Sequence, residues 1–417
     1  MRITTLFQKA LPGLRGGAAF TLLLSALAVA CVSGPWNKRI HAAQQSSDLA
    51  PHNPPPASAY AGDAACLGCH QQVAESYVHT AHHLTSQAAS TESIHGSFSA
   101  GANTLKTSNP RLTFEMRQMP DGSFTETADY RTQTGNLQTL TQPIEIVTGS
   151  GRKGQTYLYW VGDLLFELPV SYWAANGTWI NSPGYKEGTA HFDRPVIPQC
   201  LECHASYFES QTPQVNRFNK TELVLGVGCE RCHGPAAEHV RREQQSQQTH
   251  TRPVAEAIIN PAKLTRERQI DVCALCHAGA GLLPAPAPAL SFQPGDVLAE
   301  YVKAAPIDPD QPLDVHTNQV QLLRQSKCFR SSEMTCTTCH NTHEEQRDAA
   351  AFSSKCLGCH SIKACPTYKE QHEAIQTRCV ECHMPLQQSK TLFSDNLGEH
   401  LTPAVRNHRI AIYPKTQ

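Results

Sequence analysis

The chain has 417 residues, of which 17 are Cys and 21 are His, and a formal net charge of −1. That balance excludes a nucleic-acid binder, which would carry a basic stripe. Hydrophobic residues make up 40% of the chain, slightly lean for a core built from side chains alone.

Residues 1–30 read as an export signal. Arg2, Lys9 and Arg15, with no acid among them, flank or precede an uncharged apolar run from Ala18 to Ala30. The run is too short for a comfortable transmembrane helix. Ala28 and Ala30 fit a signal-peptidase site, and Cys31 directly after them also resembles a lipoprotein box without its usual Leu. Simple cleavage and a lipid anchor at Cys31 both stay open. Loss of residues 1–30 leaves a chain with a formal charge of −4. Residues 31–60 are rich in Pro, Ala, Gln and Ser and read as a tether. The expected location is the periplasm or cell envelope.

From there on, Cys-x-x-Cys-His occurs seven times. The copies are Cys66/Cys69/His70, Cys200/Cys203/His204, Cys229/Cys232/His233, Cys273/Cys276/His277, Cys336/Cys339/His340, Cys356/Cys359/His360 and Cys379/Cys382/His383. Composition alone predicts about 0.03 copies, so chance is excluded. The pattern is that of c-type haem attachment. On a helical turn, residues i and i+3 share a face, so both thiols reach the two vinyl groups on one haem edge. The His at i+4 then addresses the iron from the same side. Zinc would pair the Cys-x-x-Cys units, leave one of seven unmatched and give no role to the recurring His. Disulfide frameworks do not repeat in this way. The expected cofactor is therefore haem c, seven copies, with these fourteen Cys as attachment points and these seven His as proximal ligands. Outside the motifs and Cys31, Cys328 and Cys365 remain, and a disulfide between them is expected; the alternative is two unrelated buried thiols.

The motif starts lie 134 residues apart at the first gap, but 20 and 23 at the last two. The last three haems must be near neighbours. Within the long gap the chain has β character. Arg111–Met116, a Pro120-Asp121-Gly122 turn and Ser123–Tyr130 read as a hairpin. Pro143–Thr148, Thr156–Trp160 and Leu164–Val170 follow, with a turn at Trp160-Val161-Gly162-Asp163. The predicted organisation is a first haem segment (61–109), a β-rich insert (110–190) and a six-haem segment with a C-terminal tail (191–417). The fold class is a mainly α and irregular multihaem cytochrome c fold organised around seven haems, with a small antiparallel β insert. The aromatics Tyr157, Tyr159, Trp160, Phe166, Tyr172, Trp173 and Trp179 form either a docking face or, as favoured here, a scaffold covering haem edges. The Ala/Pro-rich stretch 279–314 reads as an extended surface strap.

A haem that only carries electrons has both axial positions filled. With His41 and His52 set aside in the tether, twelve further histidines are available: His79, His82, His83, His95, His191, His239, His250, His316, His343, His372, His400 and His408. Ligation of all seven irons by two histidines is therefore affordable. His343 lies three residues after His340, and His239 six after His233 beyond a Gly234-Pro235 turn. Each is expected to serve a neighbouring haem rather than its own. His250, in a Gln-rich polar run, reads as solvated.

Five stretches resemble the exported multihaem c-type cytochromes, a group that includes the tetrahaem electron acceptor of hydroxylamine oxidoreductase. They are Ser76–His82, Gly228–His239, Met334–His343, Cys379–Pro385 and Asn407–Ile410. The resemblance implies distal ligation by His82, His239 and His343, and less directly by His316, His372 and His408. It implies an electron carrier between a donor and an acceptor redox protein, with no nucleic-acid partner. Propionates added to the −4 charge suit a basic docking face on the partner. Two alternatives stay open. One is an oxidoreductase acting on a small nitrogen or sulfur compound at one open haem. Against it, every motif ends in His and no catalytic residue is marked. The other is a haem subunit of a membrane respiratory complex, or of a quinol-linked or polymeric cytochrome.

Overall fold

The structure is a computed structural model. It describes residues 52–414 apart from 212–214, 252–255, 280–281, 285–286 and 305–311. The expected export signal, Cys31 and most of the 31–60 tether lie outside the described residues. Among the described residues no helix is long and apolar enough to cross a membrane.

Two antiparallel sheets occupy the long gap between the first two motifs. Their strands are β1 (Ser86–Ala88), β2 (Thr104–Lys106), β3 (Leu112–Gln118), β4 (Phe124–Arg131), β5 (Leu137–Ile144), β6 (Ile146–Thr148), β7 (Gly154–Val161), β8 (Leu164–Trp173), β9 (Thr178–Asn181) and β10 (Arg194–Pro195). One sheet is the meander β2-β3-β4-β5. The other runs β1-β6-β7-β8-β10, with β9 also on β8. The β3–β4 hairpin turns at Pro120-Asp121-Gly122, where Gly122 takes φ 86°. The β7–β8 hairpin closes through Gly162-Asp163, with Gly162 at φ 62°. Tight hairpin connections need such left-handed residues, and Gly adopts them without a Cβ clash.

The β region is wider than the predicted 110–190, because strands already begin at Ser86 and end at Pro195. Only the end of strand β5 is foreseen in sequence. Its residues 137–141 are exposed, so no buried face imposes an apolar alternation on them. The two sheets share one core, in which Phe114, Met116, Val147, Tyr157, Leu168 and Val170 are fully buried. Tyr157, Tyr159 and Trp179 are core residues, which removes them from a docking face.

Among the other described residues, short helices stand between irregular stretches: α1 (Asp63–Leu67), α2 (Gln71–Tyr77), α3 (Pro198–His204), α4 (Cys229–His233), α5 (Ala237–Thr249), α6 (Arg266–His277), α7 (Gln319–Arg324), α8 (Lys327–Arg330), α9 (Ala349–Leu357), α10 (Tyr368–Gln371) and α11 (Cys379–His383). A second apolar cluster joins Leu165 of β8 to Leu201 of α3 and to Phe218 and Leu290. A third packs Ile270, Ala274 and Leu275 of α6 against Phe292, Tyr301 and Phe329.

The 279–314 stretch is not a plain surface strap. Leu282–Pro284 pairs antiparallel with Val302–Ala304, and Leu290 and Phe292 are buried. Its Ala and Pro content hides these apolar anchors. Residues 280–281, 285–286 and 305–311 of the predicted strap lie outside the described residues.

Candidate haem attachment sites

Local hydrogen bonding gives the motifs a helical turn. His70 N donates to Cys66 O at 2.8 Å, His340 N to Cys336 O at 3.0 Å and His360 N to Cys356 O at 2.9 Å. Motifs 2, 3, 4 and 7 close the helices α3, α4, α6 and α11. In each, two thiols and one imidazole therefore face one side.

Motifs far apart in sequence meet in space. The Cys66 and Cys229 thiols are in hydrogen-bond contact, as are Cys203 with Cys276 and Cys273 with Cys336. Cys232 lies close enough to interact electrostatically with Cys273 and Cys276. Cys339 does so with Cys359, and Cys356 with Cys379. The motifs thus run 1–3–4–5–6–7, with motif 2 joined to motif 4.

Four of the fourteen expected attachment cysteines depart from the burial of the rest, Cys359 while still lying near Cys339. Cys69, Cys200, Cys359 and Cys382 are exposed. The departure is plainest at Cys382, the second thiol of the last motif. It lies near Cys379 of its own motif and near Arg378, rather than being drawn into the junction of thiols that its neighbour Cys379 joins. The reason is its place in the fold. Motif 7 ends the row of sites, and the C-terminal tail packs on His383, where Ala411 N donates to His383 O at 3.2 Å, leaving the Cys382 thiol uncovered. The helical turn still sets Cys382 at i+3 from Cys379, so its reach toward a shared haem edge is kept while its burial is not.

Motif 3 is tied to its neighbours through the two residues between its cysteines. Buried Glu230 accepts from Ala61 N (2.8 Å), Gly62 N (2.8 Å) and Ala236 N (2.7 Å). That fixes the approach to motif 1 and the Gly-Pro turn. Arg231 donates to Glu202 O of motif 2 through Nε (3.3 Å) and Nη2 (3.0 Å). From the start of α1, which leads into motif 1, Asp63 Oδ1 accepts from Cys229 N at 2.9 Å.

Three histidines from outside the motifs stand opposite motif histidines. His82 and His277 have ring centroids 6.1 Å apart, His343 and His233 6.0 Å, and His408 and His340 6.2 Å. With metal–nitrogen bonds of about 2.0–2.1 Å, two imidazoles on opposite sides of one ion have centroids roughly 6.3 Å apart.

Each of these three is held by its own neighbourhood. His82 O accepts from Val227 N at 3.0 Å. Ser76 Oγ donates to His343 O at 2.8 Å. The tail carrying His408 is tied by Asn407 N to Pro385 O at 3.0 Å and by Arg406 Nη1 to Val380 O and Met384 O, both 2.9 Å.

The imidazoles are prepared as neutral ligands. His233 Nδ1 lies 2.9 Å from Ile259 O, His383 Nδ1 2.9 Å from Ala411 O, and His408 Nδ1 3.1 Å from Arg406 O. His204 Nδ1 meets Thr85 Oγ1 at 2.9 Å and Thr85 O at 3.1 Å. A carbonyl at Nδ1 requires the proton there and leaves the Nε2 lone pair for a metal. His82 and His340 are exposed. Even so, the surrounding protein desolvates them. Burial, followed by the charges of His277, Arg152 and His340, pushes His82 down to about 4. Burial also pushes His408 down to about 4 and lowers His277, His340 and His343.

These residues fit haem c: reachable thiols, a neutral imidazole beside them, and a second imidazole across a gap at three sites. They do not fit zinc. Among the described residues no group of three or more His, Cys, Asp or Glu side chains converges on a point for one bare ion.

The remaining candidates are placed otherwise. His239 is half-buried in the first turn of α5, and Gln247 of that helix puts Nε2 3.9 Å from Cys69 Sγ, so α5 lies along motif 1. The ring of His316 lies near His277, while its backbone N donates to Asp314 Oδ1 at 2.7 Å. His372 is exposed beside Tyr368, with centroids 5.9 Å apart. His52, set aside with the tether, has Nδ1 2.6 Å from Tyr301 Oη. Cys328 and Cys365 are both free thiols, so the expected disulfide is not present. Cys328 lies near Cys339 and Cys356, whereas Cys365 lies near Cys379. Their sequence spacing gives no hint of this separation.

Comparison with known proteins points to one cofactor class. A family model described as cytochrome c554 and c-prime matches residues 183–234, which hold motifs 2 and 3. Multiheme cytochrome MtrA of Shewanella baltica is 26% identical over 157 residues, covering 34% of this chain and 45% of that protein. The match thus spans less than half of that relative. The crystal structure of outer cell wall cytochrome OcwA has a TM-score of 0.52 at 16% identity, covering 84% of this chain and 79% of that one. An undecahaem cytochrome from the S-layer of Carboxydothermus ferrireducens gives a TM-score of 0.34 at 15% identity, covering 83% of this chain and 55% of that one.

Proposed function

Taking the chain as a multihaem c-type cytochrome, we propose that it carries electrons between a donor and an acceptor protein in the cell envelope, along seven covalently attached haems. Haem c supplies the one-electron ferric/ferrous couple. The observation that carries the reading is the three opposed imidazole pairs, at the spacing that two axial ligands of one iron need.

In this reading the fourteen motif cysteines tether the macrocycles by thioethers, and the motif histidines bind from the proximal side. His82 closes the fourth site, His343 the third and His408 the fifth. His239, on the helix along motif 1, is the candidate for the first. Carbonyls at Nδ1 of His204, His233 and His383 hold the tautomer and the ring plane. At the third, fourth and fifth sites two histidines per iron leave no open position for a substrate, which favours a carrier over a catalyst. The contact order of the motifs supports a path 1–3–4–5–6–7 with site 2 as a side branch. The exposed Cys382 at the end of that path suits a terminal haem that meets a partner. The negative balance of the mature chain suits a partner with a basic docking face.

Intact mass of the exported holoprotein is expected to show seven covalent haems, and a lower count sinks the assignment. Electron paramagnetic resonance of the oxidised protein should show low-spin haem. A high-spin signal that moves with nitrite or hydroxylamine would overturn the carrier reading. His82→Ala in the fully haem-loaded protein should convert one haem to high spin.

A further inference from the structure

The guanidinium of Arg231 lies where motifs 2, 3 and 4 meet. Its side chain is only 7% exposed. Its charge reaches the thiols of Cys203, Cys232 and Cys276, one from each of those motifs. Two of its nitrogens are held by Glu202 O, at 3.3 and 3.0 Å. Its companion charge is loose: Glu202 Oε1 stands 4.0 Å from Nη2 and itself accepts from Leu290 N at 3.0 Å.

A cation buried at this depth is costly and needs a reason. Pairing with a propionate of these haems does not supply one. The thiols mark the vinyl edge of each macrocycle, and propionates leave from the opposite edge. The charge therefore faces the thioether edges of three haems together.

We propose that Arg231 and Glu202 form an electrostatic tuning pair at this junction, with the guanidinium raising the reduction potentials of the haems on motifs 2, 3 and 4 and the carboxylate lowering those on motifs 2 and 4. Adding one electron to a ferric haem removes one unit of positive charge from its iron. A nearby buried cation stabilises the added electron, and a nearby anion opposes it. The guanidinium, which reaches all three motifs, holds electrons at the branch point from which three arms leave, and the carboxylate offsets that hold at motifs 2 and 4. Arg231 touches no iron and is a positioning and tuning residue. The inference rests on haem attachment at these three motifs.

The test uses the purified holoprotein, with intact mass as the control for haem content. Mediated potentiometric titration is followed at the haem α-band for wild type, Arg231→Met, Arg231→Lys and Glu202→Gln. Arg231→Met should move part of the curve, equivalent to two or three haems, to lower potential. Glu202→Gln should move a share of that part, equivalent to one or two haems, to higher potential, and Arg231→Lys should stay close to wild type. A purely structural role predicts no shift, or shifts of one sign. Full haem content with an unmoved or same-sign pair of curves therefore overturns the tuning pair. If Arg231→Met fails to mature, Glu202→Gln alone decides, because an absent upward shift sinks the proposal. A wild-type mass short of seven haems sinks the underlying attachment reading instead.

Discussion

The β region between Ser86 and Pro195 and the segment 336–414 are built by opposite means. The first closes two sheets over Phe114, Met116, Tyr157, Leu168 and Val170, all fully buried. The second holds three Cys-x-x-Cys-His motifs, and Ile375 and Val380 are the buried aliphatic side chains among its described residues. Two such side chains fall far short of the ordering entropy of nearly eighty residues, at roughly 1–2 kcal/mol each for the backbone alone. On the proposed reading, covalently held macrocycles complete the core of that segment, whereas the sheets can stand on side chains. The exposure of Cys359 and Cys382 belongs to the same contrast, since protein alone does not cover them. The lean hydrophobic composition of the whole chain averages two unlike economies.

The sharpest way to break this contrast is to withhold haem. In chain expressed without haem attachment, hydrogen exchange should show 336–414 exchanging at near-unfolded rates while amides of β3, β4, β7 and β8 stay protected by orders of magnitude. Equal protection in both regions would end the comparison.

Phe114→Ala should next destabilise the sheets by about 3–5 kcal/mol in urea, with haem content unchanged by mass.

Glu230→Ala strikes the other economy, since one carboxylate serves three backbone amides there. A loss of about 2–3 kcal/mol is expected, read as a lower melting temperature of the holoprotein.

A smaller effect follows from Glu126, fully buried between the sheets with neither carboxylate oxygen hydrogen-bonded. Burial holds its pKa well above the ordinary 4.5. The unfolded chain releases that proton above about pH 4.5 while the folded chain keeps it. Its stability contribution is thus complete below that pH and is lost as pH rises toward the folded pKa, by up to about 1.4 kcal/mol per pH unit. Glu167, pushed up to about 7 by burial, with Arg194 opposing, acts in the same direction between about 4.5 and 7. Glu126→Gln should flatten the fall in melting temperature between about pH 5 and 7, and an unchanged slope would remove Glu126 as its cause.

The smallest expected change is Leu140→Lys on exposed β5, within about 0.5 kcal/mol by urea unfolding.

The attachment pattern is legible from sequence because its chemistry is local. Two thiols and an imidazole must share one turn of backbone, so Cys-x-x-Cys-His carries its own geometry wherever it occurs. The β3–β4 and β7–β8 hairpins are legible for a similar reason, through Gly122, Gly162 and a period-two pattern. Strand β5 is not, since an exposed edge imposes no pattern. Which histidine faces which motif is beyond the sequence: the partners of His277, His233 and His340 come from 195, 110 and 68 residues away. The free state of Cys328 and Cys365, the exposure of Cys382, and the meeting of motifs 2, 3 and 4 around Arg231 are equally hidden. Those follow from long-range contacts, chosen by how α3, α4, α6 and the C-terminal tail pack. Spacing along a chain says what one turn can reach, and only the folded backbone decides what lies across the gap.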